Sequence, residues 1–292
     1  MRRKQFQNSV IKKYRKSLSF IGGILLLCWN SSCEELISPE LLTAPPTIVV
    51  EGTLRPDSSF VQLTQTTSFQ ENMPVPKLTG AQIQVFDFED FPKQFEEVDS
   101  GVYFPIRDME LIPGRRYRLE VIYDSVAVTA ENIYPSKPIL DSIAVDFLND
   151  RELTTAQESG YYLTLYINDR AFVRNYYRID VFRNGKSISD DPEVGLLIQT
   201  DEGRDGKVLQ YQVPFAFREQ DSLKVELNGL SSMTYDYYRG VKLLTDAGSP
   251  SQSVPENPPS NLVPSSEVAV FGFFALEHPV SDSVWVTPSV ID

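Results

Sequence analysis

Few side chains in this sequence sit in a pattern that specifies chemistry, and Cys33 is the clearest. It follows the small pair Ser31-Ser32, an apolar stretch from Leu18 to Trp29, and a basic segment with Arg2, Arg3, Lys4, Lys12, Lys13, Arg15 and Lys16. Charged, apolar and small-residue regions in that order are the layout of a secretory signal. A cysteine directly after small residues resembles a lipobox, in which the thiol is diacylated and becomes the mature N-terminus. Asn30 stands where such boxes usually carry Leu, and Cys28 is the poorer candidate because bulky Leu27 precedes it. The 12 positions from Leu18 to Trp29 fall short of the roughly 20 that span a bilayer as a helix. Residues 1–32 are therefore expected to be a lipoprotein signal, and 33–46 a lipidated tether.

Other reactive groups lack such a pattern. The single His278 precedes Pro279 and has no marked partner for a triad or a metal site. Asp201-Glu202-Gly203-Arg204-Asp205-Gly206 carries Asp201, Asp205 and Gly206 at offsets acceptable for a calcium loop. Gly203 replaces one ligand, however, and Gln212 stands where a bidentate Glu belongs. A hairpin turn between flanking strands is the expectation there. The 40 acidic residues allow many carboxylate pairs for glycoside hydrolysis, too many to be informative. No phosphate-cradling glycine loop or nucleophile elbow occurs. No catalytic residue, metal site or cofactor is expected.

Removing residues 1–32 takes seven of the 27 basic residues and none of the 40 acidic ones, leaving a net charge of −20. Such a surface repels nucleic acid and anionic headgroups, so membrane contact is expected through the lipid. With Cys28 removed and Cys33 acylated, the mature chain has no free thiol or disulfide. Cysteine nucleophiles, zinc-thiolate sites and iron–sulfur clusters are then excluded.

These groups must be carried by β-structure. Ile48 to Val50, Phe60 to Thr64, Ala81 to Phe86, Gly101 to Phe104, Tyr117 to Val121 and Val126 to Thr129 are short runs of period 2 separated by turn signals. They predict an N-terminal immunoglobulin-like β-sandwich over 44–136. A second β-rich domain, 138–292, continues with Ser142 to Val145, Tyr161 to Ile167, Tyr176 to Phe182, Gly195 to Gln199, Val208 to Val213 and Ser222 to Leu227. The period then changes once. Met233, Tyr237, Val241 and Leu244 recur at helical spacing, which predicts a helix near 232–247 with Ser232 as N-cap, Asp236 in its first turn and Gly248 past its end. Prolines 250, 255, 258, 259 and 264 predict a loop over 249–266. Strands at Val268 to Leu276 and Val284 to Val286 close the chain. Tyr235 and Tyr238 share a side of the helix away from Tyr237. They are the candidate contact surface for a partner or ligand, with a packed aromatic seam as the alternative.

Several of these motifs resemble a family when taken in order. Val49-Val50-Glu51-Gly52, Pro113-Gly114 with Tyr117, Pro135, Thr234-Tyr235-Asp236-Tyr237-Tyr238, Pro258-Pro259-Ser260-Asn261-Leu262 and Val270-Phe271-Gly272-Phe273-Phe274 follow the lipid cysteine. The chain is similar to the Bacteroidota lipoproteins catalogued as domain of unknown function forty-two forty-nine. Ser265-Ser266-Glu267 stands where members often carry Gly before the final aromatic strand. Glu34 and Glu35, directly after the cysteine, resemble the signal that exports such lipoproteins to the outer face of the outer membrane. The resemblance implies a lipid-anchored outer-membrane protein facing the cell exterior, an accessory subunit of a TonB-dependent receptor in nutrient capture or uptake. It implies no catalytic residues. A surface adhesin or glycan-binding module, and a carboxylate-dependent hydrolase, are the alternative functions.

Overall fold

The computed structural model describes residues 45–67, 74–87, 89, 91–149, 158–189, 194–246 and 257–288. Cys33, Glu34, Glu35 and Gly248 lie outside them. The described chain is mainly β with one helix, as the alternation predicts. In β6 (Arg116–Tyr123), Tyr117, Leu119 and Val121 are buried while the residues between them are not, the signature of a strand with one face in a core.

One large sheet runs through most of the chain. Its central part is formed by β1 (Ile48–Leu54), β2 (Phe60–Gln65), β5 (Val102–Pro105), β4 (Pro92–Asp99), β3 (Gln82–Phe86), β6 and β7 (Val126–Ile133), hydrogen-bonded in that spatial order. Beyond β7 lies β15 (Leu262–Pro264), and beyond β1 lie β16 (Val270–Trp285), β14 (Ser222–Leu230), β10 (Tyr176–Arg183) and β11 (Lys186–Ser187), with β12 (Ile198–Thr200) also on β10. A second sheet of three strands holds β13 (Val208–Gln212), β9 (Gly160–Asn168) and β8 (Ile139–Leu148). The helix α1 spans Ser232–Asp246.

The large sheet folds over on itself, so that β1 and β6 face each other. An atom added at Gly52 would lie 3.3 Å from Leu119. The first core, between these layers, holds Val50, Leu54, Leu63, Ile83, Tyr103, Leu119 and Val121 together with Phe274 and Leu276 from β16. Asn261 closes the gap between β15 and β16. Its Nδ2 donates to the Phe274 carbonyl at 2.9 Å and its Oδ1 accepts from the Phe274 amide at 2.9 Å, so a side-chain amide replaces a strand. A second core holds Leu163, Leu165, Ile167, Tyr177, Ile179, Val181, Leu223, Val225 and Leu227. Pro45–Asp292 clusters as one compact unit, and β16 serves both cores. Its first half pairs in parallel with β1, from Val270 opposite Ile48 to Leu276 opposite Leu54. Its second half pairs antiparallel with β14, from Glu277 opposite Leu230 to Trp285 opposite Ser222.

Several local expectations are corrected. The final two predicted strands are one 16-residue strand, which tolerates Pro279 because β1 has already ended at Leu54 opposite Leu276. The proline loop contains β15, which pairs with β7 from Leu262 opposite Ala130 to Pro264 opposite Val128. Proline is acceptable at the end of an edge strand. Strand β4 has only Phe95 buried, so no apolar alternation announced it. The helix is capped by Ser231 rather than Ser232: the Ser231 Oγ accepts from the Thr234 amide at 3.1 Å, the N-cap to N3 bond. Asp236 thus falls beyond the first turn, which carries no acidic residue. Met233 and Leu244 are exposed at 47% and 38%, and the packed stripe is Thr234, Tyr237, Tyr238 and Val241 instead.

Candidate functional site

Helix α1 lies on the outer face of the large sheet, over β16, β14 and β10. Its N-terminus is held by a satisfied buried network. Asn132 Nδ2 donates to Thr234 Oγ1 at 3.0 Å and to the Phe274 carbonyl at 2.9 Å, while Ser231 Oγ donates to Asn132 Oδ1 at 2.8 Å. Gly240 lets Pro258 and Pro259 close on the helix, since a Cβ there would lie 3.0 Å from Pro258. The two candidate tyrosines part company. Tyr235 packs on Tyr176, ring centroids 5.0 Å apart, whereas Tyr238 turns into a cluster of charges. Tyr237 stacks on Phe273 at 4.4 Å and 12°.

The cluster is built from three strands, the residue that follows β1, and the helix. Along β10, Tyr177, Ile179 and Val181 enter the second core, so Arg178 and Asp180 emerge on the opposite face. There the Arg178 Nη2 donates to Asp180 Oδ2 at 2.9 Å and to Glu277 Oε2 at 3.0 Å. Its Nη1 donates to the Tyr238 hydroxyl at 2.9 Å, which in turn donates to Glu277 Oε1 at 2.6 Å. Arg55, just past β1, bonds Glu226 of β14 and lies 3.5 Å from Glu277. Asn228 Nδ2 donates to Asp180 Oδ2 at 2.9 Å. The Glu277 side chain is wholly buried.

Protonation follows from this burial. Desolvation works to lower the Arg178 pKa, but Glu277, Tyr238 and Asp180 outweigh it and the guanidinium is held more firmly charged than usual. Burial, then the neighbouring Glu277, pushes the Tyr238 hydroxyl well above the ordinary tyrosine range, so it remains a donor. Asp180 is raised by burial and by Glu277 and Glu226, against the opposing pull of Arg178.

Beside the cluster opens a groove of about 440 Å³, within the range of small-molecule sites. Its floor is the outer face of β1 and β16 at Gly52, Thr53 and Ala275. Tyr237, Tyr238 and Phe273 stand on one side, and Phe60 and Phe104 also line it. Arg55, Arg178 and Glu277 are its polar lining, joined by Glu51 and Gln62. The arrangement offers aromatic surface next to fixed donors and acceptors, suited to holding a small polar ligand. Sequence reasoning missed all of its charged residues. The available signal was charge at alternate positions of apolar strands, as at Arg178 and Asp180, where solvent is the ordinary expectation.

The remaining candidates lie elsewhere. His278 is stacked on Tyr134 at 4.9 Å, with its Nδ1 3.3 Å from the Pro135 carbonyl. Burial lowers its pKa. Because the folded protein takes up this proton less readily than the unfolded chain, stability is expected to fall as pH drops below about 6.5. Urea unfolding at pH 7.5 and 5.5 checks this: His278→Gln should lose less stability than wild type between the two values. The Asp201–Gly206 segment is not a hairpin turn, since β12 before it pairs with β10 while β13 after it pairs with β9. It passes between sheets, and its carboxylates accept backbone amides instead. Among the described residues, no group of three or more His, Cys, Asp or Glu side chains is placed to hold a metal ion, and no helix is long and apolar enough to cross a membrane.

A mainly β scaffold with a helix laid over one outer face, and a groove beside that helix, defines a β-rich protein with an aromatic-lined cleft. The model of the family described as Domain of unknown function (DUF4249) matches residues 34–281, and the chain belongs to that family. A search of curated proteins finds no match.

Proposed function

We propose that this is a lipid-anchored surface protein of the outer membrane that binds a small ligand in the groove beside α1. In this reading it serves as an accessory subunit of a TonB-dependent transporter in nutrient capture. The observation that carries the binding half is the groove: aromatic rings beside Arg55 and Arg178, whose guanidiniums the buried Glu277 holds in place. The anchoring half is supported by the signal layout before Cys33 and by a family match that begins at residue 34, directly after that cysteine. An adhesin or glycan-binding role is the second reading, favoured by the aromatic lining of the same groove.

Affinity capture of the full chain from gently solubilised membranes tests the transporter. Recovery with an outer-membrane barrel supports it, and recovery alone counts against it. Cys33→Ala is expected to abolish lipid labelling and to move the protein from the membrane to the soluble fraction, or to block maturation, because one acyl chain contributes about 0.8 kcal/mol per buried methylene. Full retention in the outer membrane would show that something other than the lipid holds it.

A further inference from the structure

Phe172 is 95% exposed, more than any other large hydrophobic residue among those described, and its backbone sits at φ 67°. A bulky side chain in the left-handed region is a true outlier, and here no burial compensates it. Glycine or asparagine would hold that conformation at lower cost.

The loop is nevertheless held firmly. The Phe172 amide donates to Asp205 Oδ1 at 2.7 Å, the Gly206 amide to Asp169 Oδ2 at 2.7 Å, and the Asn175 amide to Asp201 Oδ2 at 2.8 Å. Asn175 Nδ2 also donates to Asp169 Oδ1 at 2.8 Å. Ala171 lies so close to Gly206 that a Cβ there would come within 2.9 Å of it. The Asp201–Gly206 segment is thus a clamp that fixes the Phe172 loop. Backbone strain maintained by its surroundings is characteristic of functional positions.

We infer that Phe172, with the half-exposed Val173 beside it, is a preorganised anchor that inserts into an apolar socket on a protein partner in the same membrane; this rests on the membrane-subunit reading above. A rigid aromatic already in its bound conformation loses little freedom on docking and is the usual centre of an interface. A protein socket suits it better than a bilayer. The two clamped loops carry equal numbers of acidic and basic residues over 169–175 and 201–207, so no basic cluster draws them to anionic headgroups. Two apolar side chains are also a small surface for lipid insertion.

Phe172→Gly separates docking from folding, because it removes the anchor and relieves the strain. The full-length variant is expected to unfold at an equal or higher urea concentration than wild type. A photoreactive phenylalanine analogue at position 172, irradiated in native membranes, is expected to join one protein species. That species should bind the Phe172→Gly protein at least about 30-fold more weakly and bind Val263→Ser, a change at another exposed apolar residue, undiminished. The inference is overturned if Phe172→Gly destabilises the fold, if the adducts are lipid alone, or if the variant binds the captured protein as wild type does. It is equally overturned if binding to vesicles of phosphatidylethanolamine and phosphatidylglycerol depends on Phe172. A captured protein that is not an outer-membrane barrel would leave the anchor standing and remove the transporter. A barrel retained in full by Phe172→Gly would do the reverse.

Discussion

Glu277→Ala is expected to destabilise the protein by about 3–5 kcal/mol, the cost of leaving buried charge without its partner. Glu277 accepts from Arg178 at 3.0 Å and from Tyr238 at 2.6 Å, and Arg55 lies at 3.5 Å. Its removal leaves two guanidiniums that already oppose each other with Asp180, Glu226 and the exposed Asp57 to balance them, and it strips Tyr238 of its acceptor. Urea unfolding measures the loss, and a change below about 1 kcal/mol would mean that water enters and replaces the carboxylate. The same physics makes the pair, as distinct from either member, of small net value. Arg178→Met combined with Glu277→Leu should cost less than the two single changes added together, with a coupling of about 0.5–3 kcal/mol. Loss of ligand binding in that double variant while the fold survives would tie the cluster to the groove it lines.

Gly272→Ala is the second large effect, at about 4 kcal/mol or more. Gly272 stands at φ 109° opposite Val50 in the parallel pairing of β1 with β16, and a Cβ there would lie 2.0 Å from the Val50 carbonyl oxygen. No side-chain rotation relieves a clash between backbone atoms, so the ladder itself would have to part. Because β16 supplies Phe274 and Leu276 to the first core and continues as the partner of β14, both cores are expected to loosen in a single unfolding transition. Gly114→Ala is the control: φ there is 80°, but nothing lies within 4 Å of the added atom, so only the conformational cost of about 1–2 kcal/mol remains. Equal losses at the two positions would refute the steric argument.

Both predictions concern contacts between distant parts of the chain, and that divides what could be read early from what could not. The strands and the helix were legible because each is a local consequence of side-chain period. Tyr161, Leu163, Leu165 and Ile167 alternate into the second core, and the single change to helical spacing marks α1. The family was legible in the same way, from short segments taken in order. Tertiary structure alone decided how the strands pair. Nothing local says that β16 changes partner at Leu276, that β12 and β13 belong to different sheets, or that β4, with only Phe95 buried, is a strand at all. The groove beside α1 was likewise hidden. Arg178, Glu226 and Glu277 each stand among the charged residues of an ordinary strand sequence, and they become a cluster because Arg55 pairs with Glu226 while Tyr238 of α1 closes over Arg178 and Glu277. A side chain's period fixes which way it points, but what lies opposite depends on distant residues, from 39 positions between Tyr238 and Glu277 to 171 between Arg55 and Glu226.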